Sequence, residues 1–195
     1  MTAAPFDRVS WPRRTGRLGI RPATGDDLRA VFEIRSLPEV GHWMPARPTS
    51  YAEFVLRVGE SGVLGRTLVL ELDDVVVGDL YLRVSDAWSQ LDTADRAGEE
   101  AEIGWCLSPA HQGHGYVTEA ATELVRICFE DLGVRRVTAS AFAENGPSLR
   151  IMERLGMRQE SYNVSDSLHR DLGWVDGVGY ALLADEWRSR RSTAG

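Results

Sequence analysis

Residues 102–120 contain, in order, the patterns of a strand, a tight turn, a glycine-rich stretch and a long amphipathic helix. This segment constrains the fold more than any other part of the chain. The turn is expected at Ser108-Pro109. Gly113 and Gly115 remove the Cβ atoms that would hold a ligand away from the backbone. The amides near them are free because they open a helix, whose start carries partial positive charge. The segment therefore predicts a phosphate or pyrophosphate held by backbone amides.

Composition restricts the classes of protein that remain open. A length of 195 residues fits one domain or two very small ones, and 43% hydrophobic with 26% charged residues is typical of a globular protein. The apolar runs are too short to cross a bilayer, and the first residues lack the features of a signal peptide. We therefore expect a cytoplasmic protein with no membrane partner. A net charge of −7 without a basic patch argues against a nucleic-acid partner.

Two residue types narrow the chemistry. All 22 basic residues are arginine, because the chain contains no lysine. This excludes Schiff-base chemistry on lysine and a phosphate-binding P-loop. Cys106 and Cys128 form no CxxC motif, so we expect two reduced and largely buried thiols.

Local patterns predict alternating strands and helices. Residues 50–53 match a capping box, and Asp73 and Asp74 join two strands as in a hairpin. The polar, acidic residues 85–99 are expected to form a loop beside the site. The expected strands are residues 17–22, 66–72, 75–84, 101–107, 136–142, 157–164 and 178–183, and the expected helices are residues 24–34, 51–60, one ending at Gly133 and one opening at Gly146. We predict one domain over residues 1–195, with a core of about residues 15–187 and flexible ends.

Several ordered segments resemble the GNAT superfamily of N-acetyltransferases. Gln112-Gly-His-Gly-Tyr-Val117 is similar to its Gln/Arg-x-x-Gly-x-Gly/Ala signature. The continuation Gly115-Tyr-Val-Thr-Glu-Ala120 is similar to the branch that contains the ribosomal-protein N-terminal (alanine/serine) acetyltransferases. Asn145-Gly-Pro-Ser-Leu-Arg-Ile-Met-Glu-Arg-Leu-Gly-Met157 resembles the Asn-x-x-Ser-x-Arg-x-x-Glu-x-Leu-Gly-Phe block of that branch. Residues 15–22 and 180–187 resemble its first and last strands.

The resemblance implies an α/β (α+β) fold, with a mixed, mostly antiparallel sheet of seven strands and about four helices. Its two central strands, here residues 101–107 and 136–142, would splay apart around the pantetheine arm of acetyl-CoA. It implies acetyl-CoA as cosubstrate, no metal, and a homodimer as a candidate assembly. Val117 departs from the signature, which has glycine or alanine there, but its place on the apolar stripe of the helix predicts a side chain directed into the core.

N-acetylation requires cofactor binding, oxyanion stabilisation, removal of a proton from the amine and protonation of the leaving sulfur. On the resemblance, Glu102 is the candidate base and Ser148 the candidate acid, with Tyr162 and Tyr180 as weaker candidates for the acid. The cofactor would be bound by Trp105, Cys106, Leu107, Gln112, Gly113, His114, Gly115, Tyr116, Val117, Thr118, Asn145 and Ser148. The alternatives remain open: a solvated carboxylate for Glu102, a helix-start hydroxyl for Ser148 and a turn residue for Asn145.

The expected acceptor is an amine, either a protein N-terminus or a small cationic amine such as a polyamine, an amino sugar or an aminoglycoside. Trp43, Trp88 and Trp174 lie in loop segments and are candidates for an acceptor groove. A positively charged acceptor could be attracted by Asp86, Asp92, Asp95, Glu99 and Glu100, although a solvated loop is the alternative for these acids.

The same residues admit other interpretations. His111 and His114 lie three residues apart, but no HExxH or CxxC pattern supports a metal site. A dinucleotide-binding motif lacks its third glycine here and would open a domain instead of lying mid-chain. A non-catalytic acyl-CoA sensor, a transferase for a longer acyl group, and transfer through an acetylated Cys106 remain as rivals to direct acetyl transfer.

Overall fold

A computed structural model of the chain describes residues 5–92 and 99–193. In these residues the strands are β1 (Arg13–Arg14), β2 (Gly19–Pro22), β3 (Thr67–Leu72), β4 (Val75–Asp86), β5 (Glu99–Leu107), β6 (Arg136–Phe142), β7 (Arg158–His169) and β8 (Gly173–Leu183). The helices are α1 (Leu28–Ser36), α2 (Pro38–Gly41), α3 (Tyr51–Ser61), α4 (Tyr116–Arg126), α5 (Gly146–Arg154) and α6 (Ala184–Thr193). A π-helical turn, Ile127–Asp131, continues α4.

The strands form one sheet in the order β1-β2-β3-β4-β5-β6-β8-β7. β5 and β6 are parallel, whereas β1–β2, β2–β3, β3–β4, β6–β8 and β7–β8 are antiparallel. The predicted mixed, mostly antiparallel α/β fold is confirmed. The described residues hold eight strands and six helices instead of seven and about four. The additional strand β1 has only two residues, the additional helix α2 is a single turn, and α6 begins at Ala184, within the segment expected to be the last strand.

The chain divides into two compact units. The first comprises residues up to Leu82 together with Gly104–Leu124, and the second comprises Arg83–Ile103 together with residues from Val125 onward. The prediction of one domain over residues 1–195 stays a prediction.

The first unit has helices packed on β3. A buried apolar cluster joins α1, α3 and β3 through Ala23, Val31, Phe54, Val58 and Val69. The Ser50 half of the predicted capping box of α3 is confirmed, since the Ser50 hydroxyl accepts a hydrogen bond from the Glu53 amide at 3.5 Å. The predicted β3–β4 hairpin is confirmed as well. Asp73 and Asp74 have φ of 50° and 63°, the left-handed conformations that a tight hairpin turn requires.

A buried carboxylate fixes the entry to α1. Asp27 accepts hydrogen bonds from Arg21 Nη1 and Nη2 at 2.8 Å each and from the Thr24 amide at 2.7 Å. The Arg21 hydrogen bonds lower the pKa of Asp27 to about 2, against the opposing effect of burial and with the help of Thr24. The ion pair is therefore a stabilising contact whose strength depends on pH.

Asp27→Asn is expected to lower the free energy of unfolding by about 2 kcal/mol at pH 7, because the folded state stabilises the ionised carboxyl by nearly two pKa units. The folded pKa lies below the ordinary value of 3.8, so the stabilisation is complete well above pH 3.8 and is lost as pH falls through 2. Urea unfolding of both proteins at pH 7 and pH 3 measures this. The difference should fall by about half at pH 3, and an unchanged difference would contradict the assignment.

The second unit is built around β6. Its parallel ladder with β5 consists of Glu100, Ala101 and Glu102 opposite Arg136, Val137 and Thr138. The ladder ends at Glu102 and Thr138, whereas β6 continues to Phe142 and stays paired with β8 throughout its length. This unit also contains α5, whose start carries two of the predicted site residues.

The β7–β8 hairpin is longer than predicted. The sequence indicated strands at residues 157–164 and 178–183 with a separate segment between them, but β7 runs to His169 and β8 begins at Gly173. The physical reason is exposure: most β7 side chains are exposed, so no burial alternation reveals the strand. Register shifts between Gln159 and Ser161 and between Asn163 and Ser167 break the two-residue period further.

Candidate active site

The glycine loop begins where β5 ends. The Ser108 amide donates to the Val77 carbonyl at 2.8 Å, and a 3-10 turn, Pro109–His111, follows. Gly113 and Gly115 have φ of 82° and 80°, in the left-handed region that favours glycine. An added Cβ at Gly113 would meet no atom within 4 Å, so the space beside this backbone is open. These observations agree with a loop that a ligand approaches closely.

The helix after the glycines leaves amides available. The first bond of α4 is donated by the Glu119 amide to the Gly115 carbonyl at 3.0 Å. The amides of Tyr116, Val117 and Thr118 therefore lie in the first turn, where no helical carbonyl precedes them. The amide of Gln112, in contrast, already donates to the Pro109 carbonyl at 3.2 Å. The set of amides predicted over residues 112–117 thus begins one residue later, and any role of Gln112 falls to its exposed side chain.

Exposure changes along this segment. Gln112, Gly113, His114 and Gly115 are exposed, whereas Tyr116, Val117 and Thr118 are half-buried. Farther along the helix Ala121, Leu124 and Cys128 are buried, as the apolar stripe predicted. The partial burial of Val117 agrees with the expectation that its side chain turns inward.

Sequence reasoning did not identify a set of contacts around this loop. Arg17 Nη1 donates to the His114 carbonyl at 2.9 Å, and Arg17 Nε donates to Glu119 Oε2 at 2.8 Å. The guanidinium also lies 4.5 Å from the centre of the Tyr116 ring. Thr15 donates its hydroxyl proton to Glu119 Oε1. Burial opposes ionisation of Glu119, but the hydrogen bonds from Thr15 and Arg17 outweigh it and lower its pKa.

Glu102 lies on β5 and pairs with a neighbouring arginine. Its Oε2 atom is 2.9 Å from Arg83 Nη2, and its side chain is 39% exposed. The carboxylate is thus accessible to solvent and held by the ion pair. The sequence offered no signal for this partner, because β4 and β5 are separated by the acidic segment.

Cys106 has an environment that sets its protonation. The side chain is buried beside Ile34 and Val40, and burial, followed by the nearby Asp79 carboxylate, raises the pKa of the thiol well above its usual value. Asp79 in turn accepts a hydrogen bond from Arg35 Nε at 3.0 Å. The thiol is therefore protonated near neutral pH, which makes it a poor nucleophile. Cys106 and Cys128 are both buried free cysteines, as predicted.

Trp105 and Leu107 also lie at the end of β5. Leu107 is buried and Trp105 is half-buried. Gly78 on β4 makes the close approach here, since an added Cβ would lie 2.4 Å from the Cys106 carbonyl oxygen. The end of β5 is thus fixed against β4 by backbone contact.

Asn145 and Ser148 open α5. The Asn145 side chain accepts a hydrogen bond from the Ser148 amide at 3.3 Å, which is the geometry of a helix N-cap. Asn145 is buried and Ser148 is half-buried. The structural role of Asn145 is clear, and the catalytic role of Ser148 stays a prediction.

Most of the remaining candidates lie on the β7–β8 hairpin. The Tyr162 hydroxyl donates to Asp176 at 2.5 Å, and this contact raises the pKa of Tyr162. Tyr180 is buried and its hydroxyl donates to Gln159 at 3.3 Å. Trp88 is 93% exposed, whereas Trp174, which was expected in a loop, lies on β8 and is 64% exposed.

The acidic residues of the expected loop have different positions. Glu99 and Glu100 belong to β5, and Glu100 pairs with Arg135. Asp86 ends β4, whereas Asp95 falls outside the described residues. No helix in the described part of the chain combines the length and the apolar character needed to cross a membrane.

Comparison with known proteins supplies the context. A family model described as "Acetyltransferase (GNAT) domain" matches residues 17–158. The chain is 36% identical over 177 residues to the uncharacterized N-acetyltransferase YnaD of Bacillus subtilis, which covers 89% of this chain and 97% of YnaD. It is 26% identical to YdaF of Bacillus subtilis, a provisionally assigned ribosomal N-acetyltransferase, over 88% of this chain and 92% of YdaF.

A solved structure agrees with this similarity. Mycobacterium smegmatis RimJ, in complex with CoA-disulfide, superimposes with a TM-score of 0.71 at 25% identity. The match covers 95% of this chain and 96% of RimJ. The likeness therefore extends over nearly the whole chain.

Proposed function

The chain belongs to the GNAT acetyltransferase family and is an N-acetyltransferase, and from this premise we propose that it moves the acetyl group of acetyl-CoA directly to a primary amine. The acceptor would be a protein N-terminus or a small cationic amine. The observation that carries the proposal is the glycine loop, where left-handed glycines precede the first-turn amides of α4, which lie ahead of the first helical hydrogen bond. A diphosphate fits such a site because it presents several anionic acceptors to amides at the positive end of a helix.

The reaction needs one proton removed and one supplied. The amine nitrogen attacks the thioester carbon, the carbon–sulfur bond breaks, and the coenzyme leaves as a thiol. We assign the proton from the amine to Glu102, acting directly or through a water, and the proton given to the sulfur to Ser148. Backbone amides of β5 are the candidates for stabilising the oxyanion.

Direct transfer is preferred over an acetylated enzyme. A buried thiol that keeps its proton near neutral pH does not attack a thioester readily. Mass spectrometry of the enzyme quenched during turnover tests this, because an acetylated Cys106 peptide would overturn direct transfer.

The nature of the acceptor follows from charge and similarity. A net charge of −7 attracts cationic acceptors, and the likeness to YdaF favours a protein N-terminus. Release of free thiol from acetyl-CoA across a panel of peptides, polyamines, amino sugars and aminoglycosides measures this. Coenzyme A binding without thiol release from any amine would support the rival of a non-catalytic sensor, and faster turnover of longer acyl-CoA donors would support the other rival.

Glu102→Gln is expected to lower kcat/KM at pH 7 by about a hundredfold for an amine with a pKa near 10, but only about tenfold for an α-amine with a pKa near 8. The reason is that a larger fraction of the α-amine is already neutral. The loss should shrink as pH rises toward the pKa of the amine, which thiol-release assays from pH 6 to pH 10 would follow. Glu130→Gln, which removes an exposed carboxylate paired with Arg126, is the control. An equal loss at every pH and for both amines would contradict a general base.

A further inference from the structure

Three side chains connect the first strands of the chain to the glycine loop. We call Thr15, Arg17 and Glu119 the loop clamp. Besides the contacts already described, the Arg17 amide donates to Glu119 Oε1 at 2.9 Å, and Arg17 Nη2 lies 2.7 Å from Glu119 Oε2. The Glu119 carboxylate thus accepts hydrogen bonds from both the backbone amide and the guanidinium of Arg17. Because Glu119 stands in the first turn of α4, the clamp ties that turn to residues 15–17.

The guanidinium of Arg17 binds residues that precede and follow Gly115 in the chain. On one side Nη1 binds the carbonyl of His114, and on the other side Nε and Nη2 bind the carboxylate of Glu119. A planar guanidinium holds such a set of acceptors in one fixed arrangement, which a flexible ammonium group cannot do.

The direction of one amide follows from this contact. The carbonyl of His114 and the amide of Gly115 belong to one peptide group, and in a trans peptide they point in opposite directions. By binding the carbonyl, Arg17 directs the Gly115 N–H away from itself. Without that contact the peptide could rotate, because the rotation changes φ of Gly115, and glycine tolerates many values of φ.

We propose that Arg17 is a positioning residue for coenzyme A, which holds the His114–Gly115 peptide and the first turn of α4 in the orientation that receives the diphosphate. This inference rests on the proposed function, since the loop must bind that group. Arg17 acts through the backbone and not as a phosphate ligand. A loop ordered in advance binds more tightly because its conformational entropy is not lost on binding.

The test compares a donor that carries the diphosphate with one that carries only the thioester. With Arg17→Ala and Glu119→Gln, we expect the Kd for coenzyme A and the KM for acetyl-CoA to rise about tenfold, with kcat within about twofold of the unchanged protein. S-acetylpantetheine carries the thioester but no diphosphate, so its kcat/KM should stay unchanged. Calorimetry with coenzyme A and thiol-release kinetics with both donors provide these values. Glu119→Gln keeps the shape of the side chain and covers the case in which Arg17→Ala fails to fold.

Two control variants distinguish positioning by Arg17 from an effect of its charge or of general stability. Arg17→Lys keeps the charge but not the planar fork, so it should behave like Arg17→Ala, and full recovery with lysine would overturn the positioning role. Arg21→Ala removes the neighbouring arginine that binds Asp27 and Glu71, and it should lower stability without changing coenzyme A affinity. Equal losses with acetyl-CoA and S-acetylpantetheine, or unchanged affinity in the Arg17 variants, would overturn this inference alone. Absence of coenzyme A binding by the unchanged protein would overturn the proposed function as well.

Discussion

Gly115→Val is expected to weaken coenzyme A binding about a thousandfold. Gly115 has φ of 80°, a conformation in which a β-branched side chain is strongly strained. The added side chain would also start 3.7 Å from Arg17 Nη2 and stand where the ligand approaches the backbone. Hydrogen bonds to a charged group contribute about 1.5–3 kcal/mol each, so loss of two amide contacts corresponds to about three orders of magnitude in Kd.

Calorimetry with coenzyme A measures the effect, and a matched glycine separates it from general strain. Gly133 has φ of 68° and nothing within 4 Å of an added Cβ, so Gly133→Val introduces the same kind of backbone strain at another helix end. We expect Gly133→Val to lower the melting temperature and leave coenzyme A affinity unchanged. If Gly115→Val binds coenzyme A as tightly as the unchanged protein, the loop is not the diphosphate site.

The predictions that succeeded rest on local chemistry. Ser50 was identified as a cap because a hydroxyl three residues before a glutamate is favoured at a helix start. Asp73 and Asp74 were assigned to a hairpin turn because short polar side chains tolerate positive φ. The positive φ of Gly113 and Gly115 reflects the same kind of local signal, whereas the binding of a diphosphate by this loop stays a prediction. Such signals need no knowledge of distant parts of the chain.

The predictions that failed concern residues without a burial pattern. The outer part of β7 is mostly polar and exposed, so its pairing with β8 depends on the partner strand instead of on an apolar face. The short elements β1 and α2 were missed for a related reason, because two or four residues are too few to display a period.

The contacts around the candidate site also could not be predicted from the sequence. Arg17 and Glu119 are separated by 102 positions, and nothing in either neighbourhood marks the other as its partner. The same holds for Cys106, because the pKa of its thiol is raised first by burial and then by Asp79 on another strand, while Arg35 on α1 opposes the shift. Sequence alone could nominate a thiol near the site, but only the three-dimensional arrangement indicates that this thiol is a poor nucleophile.

Asp79→Ala is expected to lower the free energy of unfolding by about 3–5 kcal/mol, the typical cost of removing one partner from a buried ion pair. Asp79 is 1% exposed, and it receives hydrogen bonds from both Nε and Nη2 of Arg35, whose side chain is 15% exposed. Truncation leaves a buried guanidinium without its carboxylate. Urea unfolding followed by circular dichroism measures the change, and Glu130→Ala, which breaks an exposed pair with Arg126, should cost less than about 1 kcal/mol.

A double variant tests whether the loss arises from the uncompensated charge. Combining Asp79→Leu with Arg35→Met removes both charges and fills the volume with apolar groups, so it should recover most of the stability lost in Asp79→Ala. Burial is the main cause of the raised pKa of the Cys106 thiol, and it remains in the double variant, where the opposing effects of Asp79 and Arg35 are removed together, so that thiol should stay slow to react with iodoacetamide at pH 8. A double variant as unstable as Asp79→Ala would instead indicate that the pair holds β4 and α1 together through its specific hydrogen bonds.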